Sequence, residues 1–81
     1  MRVRVLAFAR LRELLGSGTR ELELADDANV EHVWAQLAGG APALVPYRGS
    51  TRFARNGVLV EPGAPVHDGD EIALMPPVGG G

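Results

Sequence analysis

"NVEHVWAQLAGG", Asn29 to Gly40, is the stretch whose reading decides the fold. Val30, Val33, Trp34, Leu37 and Ala38 recur at i, i+3, i+4, i+7 and i+8, which places them on one face of a helix. Asn29 is suited to cap that helix, because its side-chain oxygen accepts from an N–H that lacks an intrahelical partner. Gly39 and Gly40 predict the stop. A helix with one apolar stripe must bury it against another element. The flanking segments offer a sheet.

On the N-terminal side, "RVRVLAF" alternates from Arg2 to Phe8 and is rich in β-branched residues, so it predicts a strand. Val3, Val5 and Ala7 share one face, and Arg2, Arg4, Leu6 and Phe8 the other. "ARLRELLG" predicts a short helix from Ala9 to Leu15 closed by Gly16. "TRELELA" alternates again through Leu22 and Leu24. On the C-terminal side, "APALVPYRGS" carries Pro42, Pro46 and Gly49 and predicts a loop with at most a turn of helix. Thr51 to Arg55 is a strand, and Asn56-Gly57 is a type I′ hairpin signal into Val58, Leu59 and Val60. Asp68-Gly69 offers a tight turn before a last strand, "EIALMP", with Ile72 and Leu74 opposite Ala73 and Met75. The order predicts an α+β fold, a mixed sheet with one main helix packed across it. A β-grasp arrangement fits that order.

Composition excludes several classes of function. The 81 residues hold one small domain, with 46% apolar residues and a net charge of −2, which suggests neither disorder nor a polycation that coats nucleic acid. There is no cysteine, hence no disulfide framework, thiolate metal site or cysteine nucleophile. No apolar run approaches the roughly 20 residues of a membrane span. "MRVRVLAFAR" lacks the uninterrupted apolar core of a signal peptide. The expectation is a soluble, cytoplasmic domain with no membrane partner. Lysine is absent, which a compositional bias of the source genome explains.

Acidic "DGDE" at Asp68 to Glu71 lacks the spacing of a calcium loop and reads as a solvated turn. His32 and His67 are distant in sequence and read as surface residues. No metal site is expected. Arg10, Arg12, Arg48, Arg52 and Arg55 could line the path of an anionic ligand, with ordinary surface charge as the simpler account. One anomaly remains. If the Trp34 helix covers one sheet face, then Leu6, Phe8, Met75 and one of Val58 to Val60 point the other way, where a solvated face should be polar. Either a partner docks there or the Ala41 to Ser50 loop covers it.

The chain resembles the MoaD-type sulfur carriers of the ubiquitin-like β-grasp superfamily, the small subunits of molybdopterin synthases. The resemblance rests on "VLAFARLRELLG", "RNGVLV" and "HDGDEIALMPPVGGG" and covers essentially every residue. Gly79 departs from the family pattern, which usually has a small residue with a side chain there. The resemblance implies a β-grasp domain over residues 1–77 and a flexible Gly-Gly tail over residues 78–81. It implies that a ubiquitin-activating-like adenylyltransferase of the MoeB type adenylates the Gly81 carboxylate, and that sulfur displaces AMP to leave a thiocarboxylate. Gly81 and Gly80 are the reacting end. It also implies no tightly bound cofactor, with ATP consumed by the activating partner.

The chemistry suits the residue types. A carboxylate is a poor electrophile until it carries a phosphate leaving group, and glycine presents the least hindered acyl carbon. Pro76 and Pro77 fix φ near −65° and hold the tail off the body. Residues 78–81, if extended, reach roughly 13 Å, at about 3.3 Å each. The second implied partner is a MoaE-type large subunit, which holds the pterin precursor. Phe8, Leu59 and Met75 match the docking positions of the family, followed by Pro76, Pro77, Val78 and Gly79 along the partner's channel. The resemblance implies a carrier that is not catalytic alone and acts as the sulfur-donating subunit of a heteromeric sulfurtransferase. The other readings are a carrier for thiamine or tRNA thiolation and a ubiquitin-like modifier or interaction module without sulfur chemistry. An RNA-binding β-grasp module should be basic, and this chain is not.

Overall fold

A computed structural model describes residues 1–76; the expectations for Pro77, Val78, Gly79, Gly80 and Gly81 lie outside the described residues. In chain order the elements are β1 (Arg2–Ala7), α1 (Ala9–Leu15), β2 (Thr19–Glu23), α2 (Val30–Gly40), a 3₁₀ segment (Pro42–Ser50), β3 (Arg52–Arg55), β4 (Val58–Val60) and β5 (Glu71–Met75). The strands form one mixed sheet in the order β2-β1-β5-β3-β4. Strands β1 and β5 run parallel, and the other neighbours are antiparallel. Helix α2 lies across one face. This is the expected α+β, β-grasp architecture.

Alternation sorts the strands as their sequences demand. Val3, Val5 and Ala7 of β1 and Ile72 and Leu74 of β5 are buried, and so are Val30, Val33, Trp34 and Leu37 of α2. They share one core with Leu11, Leu15, Leu22, Leu44, Phe53 and Val66. Trp34 meets Phe53 edge-on, with ring centroids 6.2 Å apart and planes at 76°, a favoured aromatic geometry. At the start of α2, Asn29 Oδ1 accepts from the His32 N–H and His32 Nδ1 accepts from the Asn29 N–H, both at 2.9 Å. This reciprocal pair satisfies two donors at once. The Asn56-Gly57 turn has φ of 51° and 86°, as the I′ hairpin requires.

Three boundaries differ from expectation. Strand β1 ends at Ala7, because the Phe8 carbonyl already accepts from the N–H groups of Leu11 and Arg12 and Phe8 caps α1. Helix α2 continues through Gly39 and Gly40; the Ala41 N–H still bonds back to Leu37 and Ala38. The break comes at Ala41, which precedes Pro42, and a residue before proline is pushed out of the helical region. The stretch expected as a loop is a nine-residue 3₁₀ segment that packs on α1 and α2. Its Leu44 is fully buried. Arg48 forks onto the Glu31 carboxylate, with Nε at 2.8 Å from Oε2, and its guanidinium lies 5.0 Å from the Phe53 ring centroid. The segment therefore closes the helix side of the sheet. It does not cover the opposite face.

Candidate functional site

The opposite face carries the candidate site, and strand pairing builds it. Leu6 pairs with Ala73, Ala73 with Ala54, and Ala54 with Leu59, which sets an apolar row across four strands. The next row towards the C-terminal ends of β1 and β5 is formed by Phe8 and Met75. Each stands one residue beyond Ala7↔Leu74, the last parallel pair. Phe8 is 47% exposed and Leu59 59%, while Met75, Leu6 and Ala73 are half-buried. Pro76 follows directly, at the edge where the described chain leaves the sheet. Phe8, Met75 and Pro76 are thus gathered at one end of the face, and Leu59 lies on the outer strand in the adjacent row, that of Leu6, Ala73 and Ala54.

The other half of this face is charged. Arg4 pairs in register with Glu21 and Glu71, and Arg2 with Glu23. Arg2 bonds Glu23 at 2.8 Å and approaches Glu21 at 3.8 Å. Arg2 and Arg4 are therefore matched by strand neighbours at the far end of the face. The cation beside the apolar end is Arg52, opposite Met75 in the β3–β5 register and exposed. Arg12 flanks Phe8 from α1, with its side chain against Gly18. Alternation along β3 separates Arg52 and Ala54 from Phe53 and Arg55, and the register with β5 puts Arg52 on this face beside Met75.

The five arginines singled out in the sequence are not brought to a single path. Arg48 is bound to Glu31, Arg55 donates to the Pro65 carbonyl at 2.5 Å on the helix side, and Arg10 reaches the Tyr47 hydroxyl at 3.5 Å. Arg10 and Tyr47 line a cleft with Leu11, Ser50, Thr51 and Pro76, next to the chain exit. Among the described residues no group of three His, Cys, Asp or Glu side chains is placed to hold a metal ion. No helix among them is long and apolar enough to cross a membrane.

The acidic turn has a structural task. The nearly buried Asp70 carboxylate accepts from Asn56 Nδ2 at 2.9 Å and from the His67 N–H at 2.8 Å. Asn56 also accepts from the Glu71 N–H at 2.9 Å. Asp70 thereby ties the β3–β4 hairpin to the start of β5. Burial alone would raise its pKa, but the bonds from Asn56 and His67, with the nearby His67 and Arg55 charges, outweigh burial and hold it below the ordinary carboxylate value.

Residues 5–81 match the ThiS family. The chain is 39% identical to the molybdopterin synthase sulfur carrier subunit of Chlamydomonas reinhardtii, over 100% of both chains. Its backbone is similar to that of the small archaeal modifier protein 1 of Haloferax volcanii, with a TM-score of 0.88 and 32% identity over 100% of both chains. It is also similar to a chain in the complex of subunits 1 and 2 of the molybdopterin-converting factor from Helicobacter pylori, with a TM-score of 0.71 and 28% identity over 100% of each. A family match over nearly all residues coincides with full-length identity and a shared backbone, and the chain belongs to the ThiS family.

Proposed function

We propose that this chain is the sulfur carrier subunit of a molybdopterin synthase, working in the cytoplasm. A carrier must be gripped by its body while its end enters another protein. The observation that carries the reading is the parallel β1–β5 pair, which sets Phe8 and Met75 beside Pro76 on an apolar surface that no other element among the described residues covers. The partner is a synthase large subunit; a relative of this chain is described in a complex of two converting-factor subunits. Phe8, Leu59 and Met75 are the anchors on this reading, and residues 76–79 line the way in.

The chemistry falls on Gly81. Its carboxylate attacks ATP on a MoeB-type adenylyltransferase, pyrophosphate leaves, and a glycyl adenylate forms. A sulfur nucleophile then displaces AMP and leaves a thiocarboxylate. Two carriers charged in this way deliver the two dithiolene sulfurs in succession to a cyclic pterin precursor held by the large subunit. Gly80 and Gly79 add no side chain to the reacting end. The test is mass spectrometry after incubation with the adenylyltransferase, ATP and a sulfur donor. One oxygen-for-sulfur exchange at Gly81 is the expected result, and an unmodified terminus in the presence of AMP release would sink the reading.

The likeness to a small archaeal modifier protein favours a second reading, in which the activated glycine acylates amines of other proteins. The two part in the cell. A carrier is recovered as free chain and in complex with one large protein, whereas a modifier is recovered in covalent conjugates that survive denaturation.

A further inference from the structure

Two non-glycine residues among the described ones have positive φ, Ala9 and Asn56, each at 51°. Asn56 is accounted for by its hairpin turn, and asparagine tolerates that region. Ala9 has no such account. For an L-residue with a Cβ the left-handed region is narrow and disfavoured, while glycine enters it freely. The strain sits at the β1–α1 junction, where Phe8 alone separates strand from helix. Phe8 is still extended, with φ −128° and ψ 156°, and its carbonyl already accepts from the first turn of α1. The chain thus changes direction at one residue. Phe8 stays in the strand's alternation on the open face, and Leu11 goes to the core behind it.

We propose that Ala9 is a positioning residue of the docking face: its Cβ, confined in a narrow left-handed well, fixes the direction in which Phe8 is presented. Backbone strain of this kind persists where the surrounding structure over-determines it and clusters at functional positions. The gain is preorganisation, since an anchor that samples several directions binds only from the competent fraction. This inference rests on the docking role given to Phe8 above.

Two variants separate strain from positioning. Ala9→Gly removes the strain and also widens the well; Ala9→D-Ala, made by chemical synthesis, removes the strain and keeps the restriction, because a D-residue prefers positive φ. Both should raise Tm. Binding to the synthase large subunit should stay within about twofold for Ala9→D-Ala and weaken about threefold or more for Ala9→Gly, the reciprocal of the competent fraction that remains. In a Phe8→Ala background the Ala9→Gly effect should vanish. The inference is overturned if Ala9→Gly binds as tightly as the parent, if its loss persists without Phe8, if Ala9→D-Ala loses as much, or if Tm falls in both. Phe8→Ala with unchanged affinity would end the docking-face reading itself; a weakened Phe8→Ala beside a neutral Ala9→Gly ends the positioning role alone.

Discussion

Trp34 is the largest side chain under the sheet, and its edge-on contact with Phe53 joins α2 to β3. Trp34→Ala should cost about 3–5 kcal/mol in a denaturant titration, a large share of what holds a small domain folded. The native protein should show the emission of a shielded indole, lost on unfolding. Asp70 contributes to the acid side of the stability curve, as does Glu31, whose bonds from Arg48 hold it below the ordinary carboxylate value. The folded pKa of Asp70 lies below the ordinary value, so its contribution is present above about pH 4 and is lost as pH falls through the lower folded value. Thermal melts should therefore drop as the pH is lowered below about 4, and less steeply for Asp70→Asn. That variant should also be less stable at pH 7 by about 1–3 kcal/mol, since its amide meets two donors with one acceptor. The sequence made Trp34 legible through its period, but not Asp70, because a bonded acid and a solvated one look alike in a Gly-Asp turn. Phe53 was equally hidden. Alternation in a four-residue strand assigns two faces without saying which one the helix covers.

At the scale of elements, α2 was legible because two independent signals, the apolar period and the Asn29 cap, agree. Its end was not, since glycine weakens a helix without having to terminate it, and Pro42 makes the break. Removing the cap tests the first signal: Asn29→Ala should cost about 1 kcal/mol, measured by chemical denaturation. The 3₁₀ segment escaped the sequence for a different reason. A 3₁₀ helix repeats every three residues, but with Leu44 its one buried residue this segment shows no repeat, and its two prolines and Arg48 clamp are isolated signals. Arg48→Ala removes both the fork to Glu31 and the cation over Phe53. Amide exchange should then quicken across Pro42–Ser50 more than in the strands, and uniform quickening throughout the domain would contradict a local clamp.

For the whole molecule, the order of elements was enough to name the architecture, and the uncovered apolar face was visible as a conflict between alternation and solvent. Which charges flank it was not, because Arg2, Arg4 and Arg52 are alike in sequence and only the register separates paired arginines from the one beside Met75. Phe8→Ala or Met75→Asp should weaken association with the large subunit by about 2 kcal/mol or more in binding isotherms, the scale of buried anchors. Their melting temperatures should move little, since neither side chain enters the helix-side core. A chain lengthened by one residue after Gly81 should bind the same partner through this face and yet fail to accept sulfur. That outcome follows from the two parallel strands ending side by side. On the carrier reading, the proposed anchors and the last described residue, Pro76, share one origin at the ends of β1 and β5, so the body would serve its partner as a surveyor's benchmark. Depth beyond it would then be counted in residues, and chemistry addressed by distance instead of by recognition of the reacting group.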